Sequence, residues 1–243
     1  MTADPALPEA RRTEVVRQGL SVGVATGLYG VSFGALSVAS GLSVWQTQAL
    51  SLLMFTGGSQ FALVGILAAG GSGISAAATA TLLGIRNGLY ALQVGQLLHV
   101  TGVRRLLAAH LTIDESTAVG IAQSEPRAQR LGFWVTGVAV LVGWNVMTLI
   151  GALAGNALGD PQTWGLDAAA AAAFCALLWP RLRTGDGRAT AVVAAFIALV
   201  TIPVVPAGIP VILAAVAAII VGWRAHGRHE RGEDGLPGAD PTP

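Results

Sequence analysis

A single charged side chain, Arg86, lies within a long apolar part of the sequence. Between Arg17 and Arg104 the chain is otherwise almost entirely Ala, Leu, Val, Gly, Ser and Thr. A lone arginine at a bilayer centre costs about 2.5–3.5 kcal/mol unless it is paired or hydrated. Because a guanidinium binds carboxylates in bidentate fashion, two roles are open. Arg86 either meets a substrate carboxylate or forms an internal ion pair with Asp114 or Glu115.

The residues around Arg86 add polar groups and weaken the helix. Gly84 and Gly88 flank it, and Asn87 and Tyr90 supply further polar side chains. A local helix break here would free backbone groups for a ligand, which is tolerated in a membrane only against protein or a cavity. We predict that Arg86, Asn87 and Tyr90 belong to a substrate-binding site.

A second polar motif, Thr56-Gly57-Gly58-Ser59-Gln60-Phe61, interrupts another apolar segment. Each glycine lowers the stability of a helix interior by roughly 1 kcal/mol, so the adjacent Gly57 and Gly58 suggest a broken helix. The N-terminus of a half-helix offers free N–H groups that suit a carboxylate. The alternative is close helix packing, with the glutamine hydrogen-bonded across helices. The candidate substrate-binding residues here are Gly57, Gly58, Ser59 and Gln60.

A third motif places two carboxylates side by side. Asp114 and Glu115 border apolar sequence, with His99 and His110 nearby. Such acids could couple transport to protons or charge. The alternative, which composition alone favours, is that Thr112 or Asp114 caps a helix at the cytoplasmic surface.

The composition is that of a membrane protein. Hydrophobic residues make up 53% and charged residues 11% of the 243-residue chain, and the mean hydropathy is +0.65. Soluble domains carry about 25% charged residues. At about 20 apolar residues per helical span, the sequence predicts an all-α polytopic fold of about seven spans, some broken or re-entrant. The single cysteine, Cys175, excludes an intramolecular disulfide.

The apolar segments define three regions: a cytoplasmic lead (1–16), a transmembrane transporter domain (17–223) and a disordered cytoplasmic tail (224–243). Arginine clusters predict cytoplasmic N- and C-termini. That orientation requires either that the mixed segment Val103–Gln123 crosses as a fourth span or that an earlier segment is re-entrant. The apolar segments are Gly19–Ser40, Trp45–Ala69, Ile74–Val100, Gly132–Leu158, Leu166–Leu182, Ala189–Val205 and Ile209–Trp223.

Glycines recur at every fourth position in two of these segments, a spacing that lets helices approach closely in lipid. The strings Gly34–Ser37 and Gly151–Ala154 are similar. They indicate an internal duplication, unless shared composition alone explains them. The spaced glycines are Gly19, Gly23 and Gly27, then Gly30 and Gly34, and later Gly151, Gly155 and Gly159.

Several function classes are excluded by missing motifs. The sequence has no Cys/His cluster with zinc-ligand spacing, no Walker-type loop and no Gly-x-Ser-x-Gly elbow. We therefore expect no enzymatic activity, no metal or other cofactor and no nucleic-acid partner. Primary active transport by this chain alone is excluded as well.

Taken together, the three motifs resemble the AzlC family, over about Gly19 to Trp223. The resemblance implies the large subunit of a two-component exporter of branched-chain amino acids, and in some members methionine, in the bacterial inner membrane. It also implies a small AzlD-type partner with about four spans and coupling to the proton gradient. The motifs that carry it are Phe55–Ala62, Ile85–Tyr90 and Leu111–Ser116.

The chain departs from the family pattern at two places. Asn87 stands where a histidine is common, and Ala168–Ala173 replaces a bulkier apolar run. Two other functions remain open on the residues alone. One is a non-transporting scaffold subunit in which Arg86 is a structural ion pair, and the other is a channel-like pore.

Overall fold

The computed structural model describes residues 7–158, 175 and 178–216, and the regular structure in these residues is helical, without strands. By contacts the chain divides into two compact units, Met1–Phe174 and Cys175–Pro243. The predicted all-α class is confirmed for the described residues. The α-helices are α1 (Glu9–Ala39), α2 (Val44–Leu53), α3 (Gly57–Ala68), α4 (Gly73–Leu98), α5 (Gly102–His110), α6 (Asp114–Ile121), α7 (Pro126–Leu158) and α8 (Gly185–Thr201), with a 3-10 helix at Trp179–Arg183. Residues 209–216 are helical as well.

Helices α1 and α7 form a parallel pair at the centre of the first unit. A Cβ atom built on Gly19 would lie 2.8 Å from the Thr136 hydroxyl, and one built on Gly155 would lie 3.4 Å from the Cβ of Ala35. Contacts therefore advance along both helices in the same direction. The predicted close packing at spaced glycines is confirmed. These two helices are also long and apolar enough to cross a membrane, by length and composition.

The second predicted apolar segment is a helical hairpin rather than one helix. α2 ends at Leu53 and α3 begins at Gly57. The Gln60 side-chain amide Nε2 donates to the carbonyl oxygens of Leu50 (3.0 Å) and Ser51 (3.3 Å). Residues ten positions apart in a continuous helix are separated by about 15 Å, so α3 must fold back on α2. The predicted break is confirmed, and it falls at Met54–Thr56, the apex of this α2–α3 hairpin.

The base of the α2–α3 hairpin lies at the C-terminal end of α1. Only residues 40–43 connect α1 to α2, and only residues 69–72 connect α3 to α4. Gly70 has a φ of +74°, a conformation that suits glycine in this second turn. Antiparallel packing of α4 on α3 follows, because Gly58 faces Arg86 while Ser59 faces Gly84.

Helix α4 runs back toward the N-terminal end of the α1–α7 pair. Arg130, near the start of α7, donates its Nε–H to the carbonyl oxygen of Leu97, near the end of α4, at 3.2 Å. With 26 residues, α4 is about 39 Å long. It therefore joins the two ends of the pair.

The mixed segment forms a second hairpin, α5–α6, with its apex at Leu111–Ile113. α6 lies antiparallel to α7, since Gly120 packs against Phe133 whereas Leu111 packs against Gly137. Beyond α6, Gln123 accepts a hydrogen bond from Arg11 at 2.9 Å. Both ends of this hairpin thus lie at the N-terminal end of the α1–α7 pair, opposite to the base of the α2–α3 hairpin.

Two local expectations differ from the structure. α4 continues unbroken through Arg86, so the helix break that Gly84 and Gly88 would have permitted is absent. Gly84 instead allows close packing, because a Cβ on it would lie 3.7 Å from Ser59 Oγ. The polar lead is helical from Glu9 onward. The tail 224–243 and most of the predicted segment Leu166–Leu182 lie outside the described residues.

Candidate functional site

Arg86 and Asp114 form an ion pair between α4 and the start of α6. Arg86 Nη2 lies 2.9 Å from Asp114 Oδ2, and the two side chains are 30% and 32% exposed. The pair uses one nitrogen and one oxygen. Arg86 Nε and Asp114 Oδ1 are buried and have no hydrogen-bond partner among the described residues. The site therefore retains a buried donor and a buried acceptor.

The Arg86 guanidinium also lies against the first turn of α3. A Cβ atom on Gly58 would lie 2.9 Å from Arg86 Nη2, so a larger residue at this position would require the end of the Arg86 side chain to shift. The N-cap residue Thr56 makes no side-chain capping hydrogen bond. The N-terminal N–H groups of a helix carry partial positive charge, and together with the guanidinium they make this side of the site electropositive.

The two polar residues that follow in α3 are fully buried and are held locally. Ser59 Oγ lies 3.4 Å from Thr56 Oγ1. The Gln60 amide nitrogen is directed at the C-terminal carbonyls of α2, and its Oε1 is buried without a hydrogen-bond partner in the described part of the chain. Gln60 thus stabilises the hairpin apex that positions Gly58, as the alternative of bonding across helices predicts.

Asp114 does not cap α6, and neither does Thr112, so the predicted capping role is wrong. The Thr112 hydroxyl donates to the Ala108 carbonyl oxygen at 2.7 Å. The Ile113 N–H is satisfied by Ser116 Oγ at 3.2 Å. The Asp114 carboxylate makes no capping hydrogen bond and pairs with Arg86 instead. Its position in the first turn of α6 also complements the helix dipole.

Glu115 turns toward α1. The Thr26 hydroxyl approaches its carboxylate, and Arg86 and Asp114 are both close enough to interact with it electrostatically. Two carboxylates and one guanidinium therefore share this part of the bundle. Of the two partners predicted for an internal ion pair, Asp114 or Glu115, the structure shows Asp114 paired with Arg86.

Asn87 and Tyr90 lie on α4 with Arg86. Asn87 Oδ1 is buried without a hydrogen-bond partner within the described residues, so it is a second acceptor whose hydrogen-bonding capacity is unused. Tyr90 follows Arg86 by one helical turn, which places both side chains on the same face, and it is half-buried.

Sequence reasoning missed an aromatic cluster beside the α3 N-terminus. Trp144 stacks on Phe33 with ring centroids 5.8 Å apart, and Phe61 packs edge-on against both rings. A Cβ atom on Gly57 would lie 3.3 Å from Trp144 Cη2. The indole Nε1 is buried without a hydrogen-bond partner in the described residues. A tryptophan in the middle of an apolar helix was the available sequence signal.

The two hairpin apices meet beside the ion pair. Phe55, in the apex of the α2–α3 hairpin, packs on His110, which immediately precedes the α5–α6 apex, with ring centroids 5.7 Å apart. The sequence places His110 close to the acids along the chain, but nothing in it indicates the contact with Phe55.

The described residues form a helical bundle, and two of its helices are long and apolar enough to cross a membrane, which is compatible with a helical membrane protein. A family model described as AzlC protein matches residues 21–158, more than half of the chain. The chain therefore belongs to the AzlC family, a transport family rather than a family of enzymes, with a role related to branched-chain amino acids. Comparison with curated proteins and with solved structures found no match.

Proposed function

We propose that this chain is the large subunit of a secondary transporter that exports branched-chain amino acids, and also methionine, across the bacterial inner membrane. A small four-span AzlD-type subunit is its partner, and the proton gradient is its driving force. The observation that carries the proposal is the incompletely satisfied Arg86–Asp114 pair. Buried polar groups are normally hydrogen-bonded, and here the unsatisfied donor and acceptors suit a zwitterion.

An amino acid needs an anion site, a cation site and an apolar surface. Arg86 Nε and the first N–H groups of α3 would bind the carboxylate, as charge-assisted hydrogen bonds. Asp114 Oδ1 and Asn87 Oδ1 would accept from the ammonium. The side chain would lie toward Phe61 and Trp144, which pack next to the first turn of α3.

The ion pair also provides a route to proton coupling. A substrate carboxylate and the Asp114 carboxylate compete for the same guanidinium. When the substrate displaces Asp114, a carboxylate in a half-buried position loses its counter-charge, and protonation relieves the cost of that isolated charge. Asp114, with Glu115 beside it, would then carry a proton in exchange for the amino acid.

The contacts support a specific arrangement in the membrane. α1, α4 and α7 join the two ends of the bundle, whereas each hairpin returns to the end at which it begins. Arginines gather at the N-terminal end of the α1–α7 pair, which the positive-inside rule places in the cytoplasm. On this proposal the first unit has three crossings and two re-entrant hairpins, one from each side. The arginines at that end are Arg11, Arg12, Arg17, Arg104, Arg105, Arg127 and Arg130.

Efflux of amino acids from cells fed with dipeptides, with and without the small subunit, tests the proposal. Arg86→Ala, Arg86→Lys and Asp114→Asn should each lower leucine efflux by at least about tenfold, provided that the variants insert normally. Arg104→Ala, at an exposed position on α5, is the matched control and should export normally. Wild-type efflux from Arg86→Ala would assign Arg86 a structural role, and flux that ignores a protonophore would indicate a channel-like pore.

A further inference from the structure

We infer that the two helical hairpins are the two gates of the transport site, and that the packing of Phe55 on His110 is the contact that holds both gates closed. The inference rests on the proposed transport function and deepens it. It assigns a separate access route to each hairpin.

The lengths of the hairpin helices are the first argument. α2 and α3 have 10 and 12 residues, and α5 and α6 have 9 and 8 residues. At 1.5 Å per residue each is about 12–18 Å long, half of a hydrocarbon core of about 30 Å. Neither hairpin spans this thickness alone, and the two together do.

The position of the apices is the second argument. The hairpins start from opposite ends of the α1–α7 pair, and their apices meet at Phe55 and His110. Each hairpin also contributes to the charged site. Gly58 of the α2–α3 hairpin lies against Arg86, and Asp114 of the α5–α6 hairpin forms an ion pair with Arg86. The ion pair therefore lies between the two apices, where movement of either hairpin would open it toward a different side.

The low burial of α5 is the third argument, and it concerns this one helix, because α3 buries five residues and α6 buries four. α1 and α7 are in backbone contact, because a Cβ on Gly27 would fall 3.0 Å from the Gly143 carbonyl carbon. Separation of this pair would therefore lose contacts along both helices. In α5, by contrast, Ala108 is the one buried residue. Helices with few buried residues belong to the parts of a protein that open at low cost.

Cross-linking of the two apices tests the inference. The background is Cys175→Ser, which removes the single native cysteine, and its leucine efflux is measured first. Phe55→Cys with His110→Cys is then treated with a short, reducible bifunctional thiol reagent in the presence of the small subunit. We expect efflux to fall by at least about tenfold and to return on reduction, because neither gate can open.

The matched control joins the scaffold helices instead. Ala35→Cys with Gly155→Cys links α1 to α7, where the two Cβ positions are 3.4 Å apart. A Cβ on Gly155 also lies 3.0 Å from the Ala35 Cα, so the reference is the efflux of this double variant before cross-linking, and the cross-link itself should cause no further loss. Full efflux from the quantitatively cross-linked Phe55/His110 pair would overturn the gating inference alone. Absence of efflux from the wild-type chain with its partner would overturn the transport function, and the gates with it.

Hydrogen exchange on the wild-type protein provides a measurement that needs no variant. Leucine should change the exchange of the amides at Met54–Thr56 and Leu111–Ile113, and it should leave the α1–α7 crossing unchanged. If wild-type protein exports leucine but both apices exchange at the same rate with and without it, the gating inference is wrong.

Discussion

The guanidinium of Arg86 lies so close to Gly58 that a Cβ atom there would be 2.9 Å from Nη2. This contact links the middle of an unbroken helix, α4, to the first turn of a helix that begins inside the bundle, α3. It explains why a glycine stands at Gly58. Helix propensity alone would disfavour it by roughly 1 kcal/mol.

Substitution of Gly58 tests this contact. Gly58→Ala should lower leucine efflux by about tenfold or more, because the methyl group displaces the guanidinium from the α3 N-terminus. Gly88→Ala is the matched control, since a Cβ on Gly88 meets no atom within 4 Å, and it should export normally. The measurement is initial efflux at equal membrane abundance. Equal efflux from the two variants would remove Gly58 from the site.

The Arg86–Asp114 pair should show strong coupling in stability. Removal of one partner from a buried pair costs about 3–5 kcal/mol, and a smaller loss, about 1–2 kcal/mol, is expected here because both side chains are about one-third exposed. Arg86→Ala with Asp114→Ala should be less destabilised than the sum of the single variants. Thermal unfolding in detergent measures the stability of the wild type, the two single variants and the double variant. Additive losses would show that the two side chains act independently.

Gln60 should matter for the fold more than for substrate contact. Gln60→Leu removes the amide that donates to Leu50 and Ser51, and about 1–3 kcal/mol of stability should be lost because the buried hydrogen bond to the Ser51 carbonyl oxygen is removed. Gln46→Leu is the control. Gln46 also makes a side-chain to backbone hydrogen bond, to the Ser43 N–H, but at an exposed position. The measurement is the denaturant midpoint of each variant in detergent. Equal losses of stability in Gln60→Leu and Gln46→Leu would contradict the structural role assigned to Gln60.

Much of the site was visible in the sequence because membranes penalise polar groups strongly. Arg86, Asp114 and the glycine pair of α3 stand out against apolar surroundings, and any of these groups needs a partner or a ligand. The break near Gly57 was predictable on the same ground. The glycine spacing of α1 likewise predicted close helix packing.

Other parts of the site depended on contacts between distant segments, which composition does not encode. Gln60 lies in a polar motif, yet its partners are ten and nine positions earlier, across the α2–α3 turn. Thr112 and Asp114 have the composition of helix caps, but Ser116 satisfies the Ile113 N–H and leaves Asp114 to Arg86. The packing of Phe55 on His110 joins two hairpins and has no local signature.

The α1–α7 crossing should tolerate no added methyl group at Gly27. A Cβ there would lie 3.0 Å from the Gly143 backbone, which cannot shift without separating the helices, and overpacking of this kind costs about 1–3 kcal/mol. Gly65→Ala, in α3, is the control because its Cβ meets nothing within 4 Å. Membrane abundance and unfolding temperature are the measurements. A Gly27→Ala variant as stable as Gly65→Ala would contradict the packing.

Trp144 should set the size of the substrate side chain. Its ring closes against the first residue of α3, 3.3 Å from the Cβ position of Gly57, next to the proposed carboxylate site. Trp144→Leu would enlarge the space there, and export of phenylalanine relative to leucine should rise about tenfold, the scale of one or two methylene groups in an apolar pocket. Trp144→Phe, a smaller change, should shift the ratio in the same direction.

The substrate ratio separates a specificity role from a structural one. A large-to-small aromatic substitution costs about 3–5 kcal/mol, so Trp144→Leu will also lower the amount of folded protein, and this affects all substrates equally. Trp45→Leu, at a tryptophan that is 79% exposed on α2, should leave the ratio unchanged. If the Trp144 variants lower leucine and phenylalanine efflux by the same factor, the aromatic cluster supports the fold and does not contact the substrate side chain.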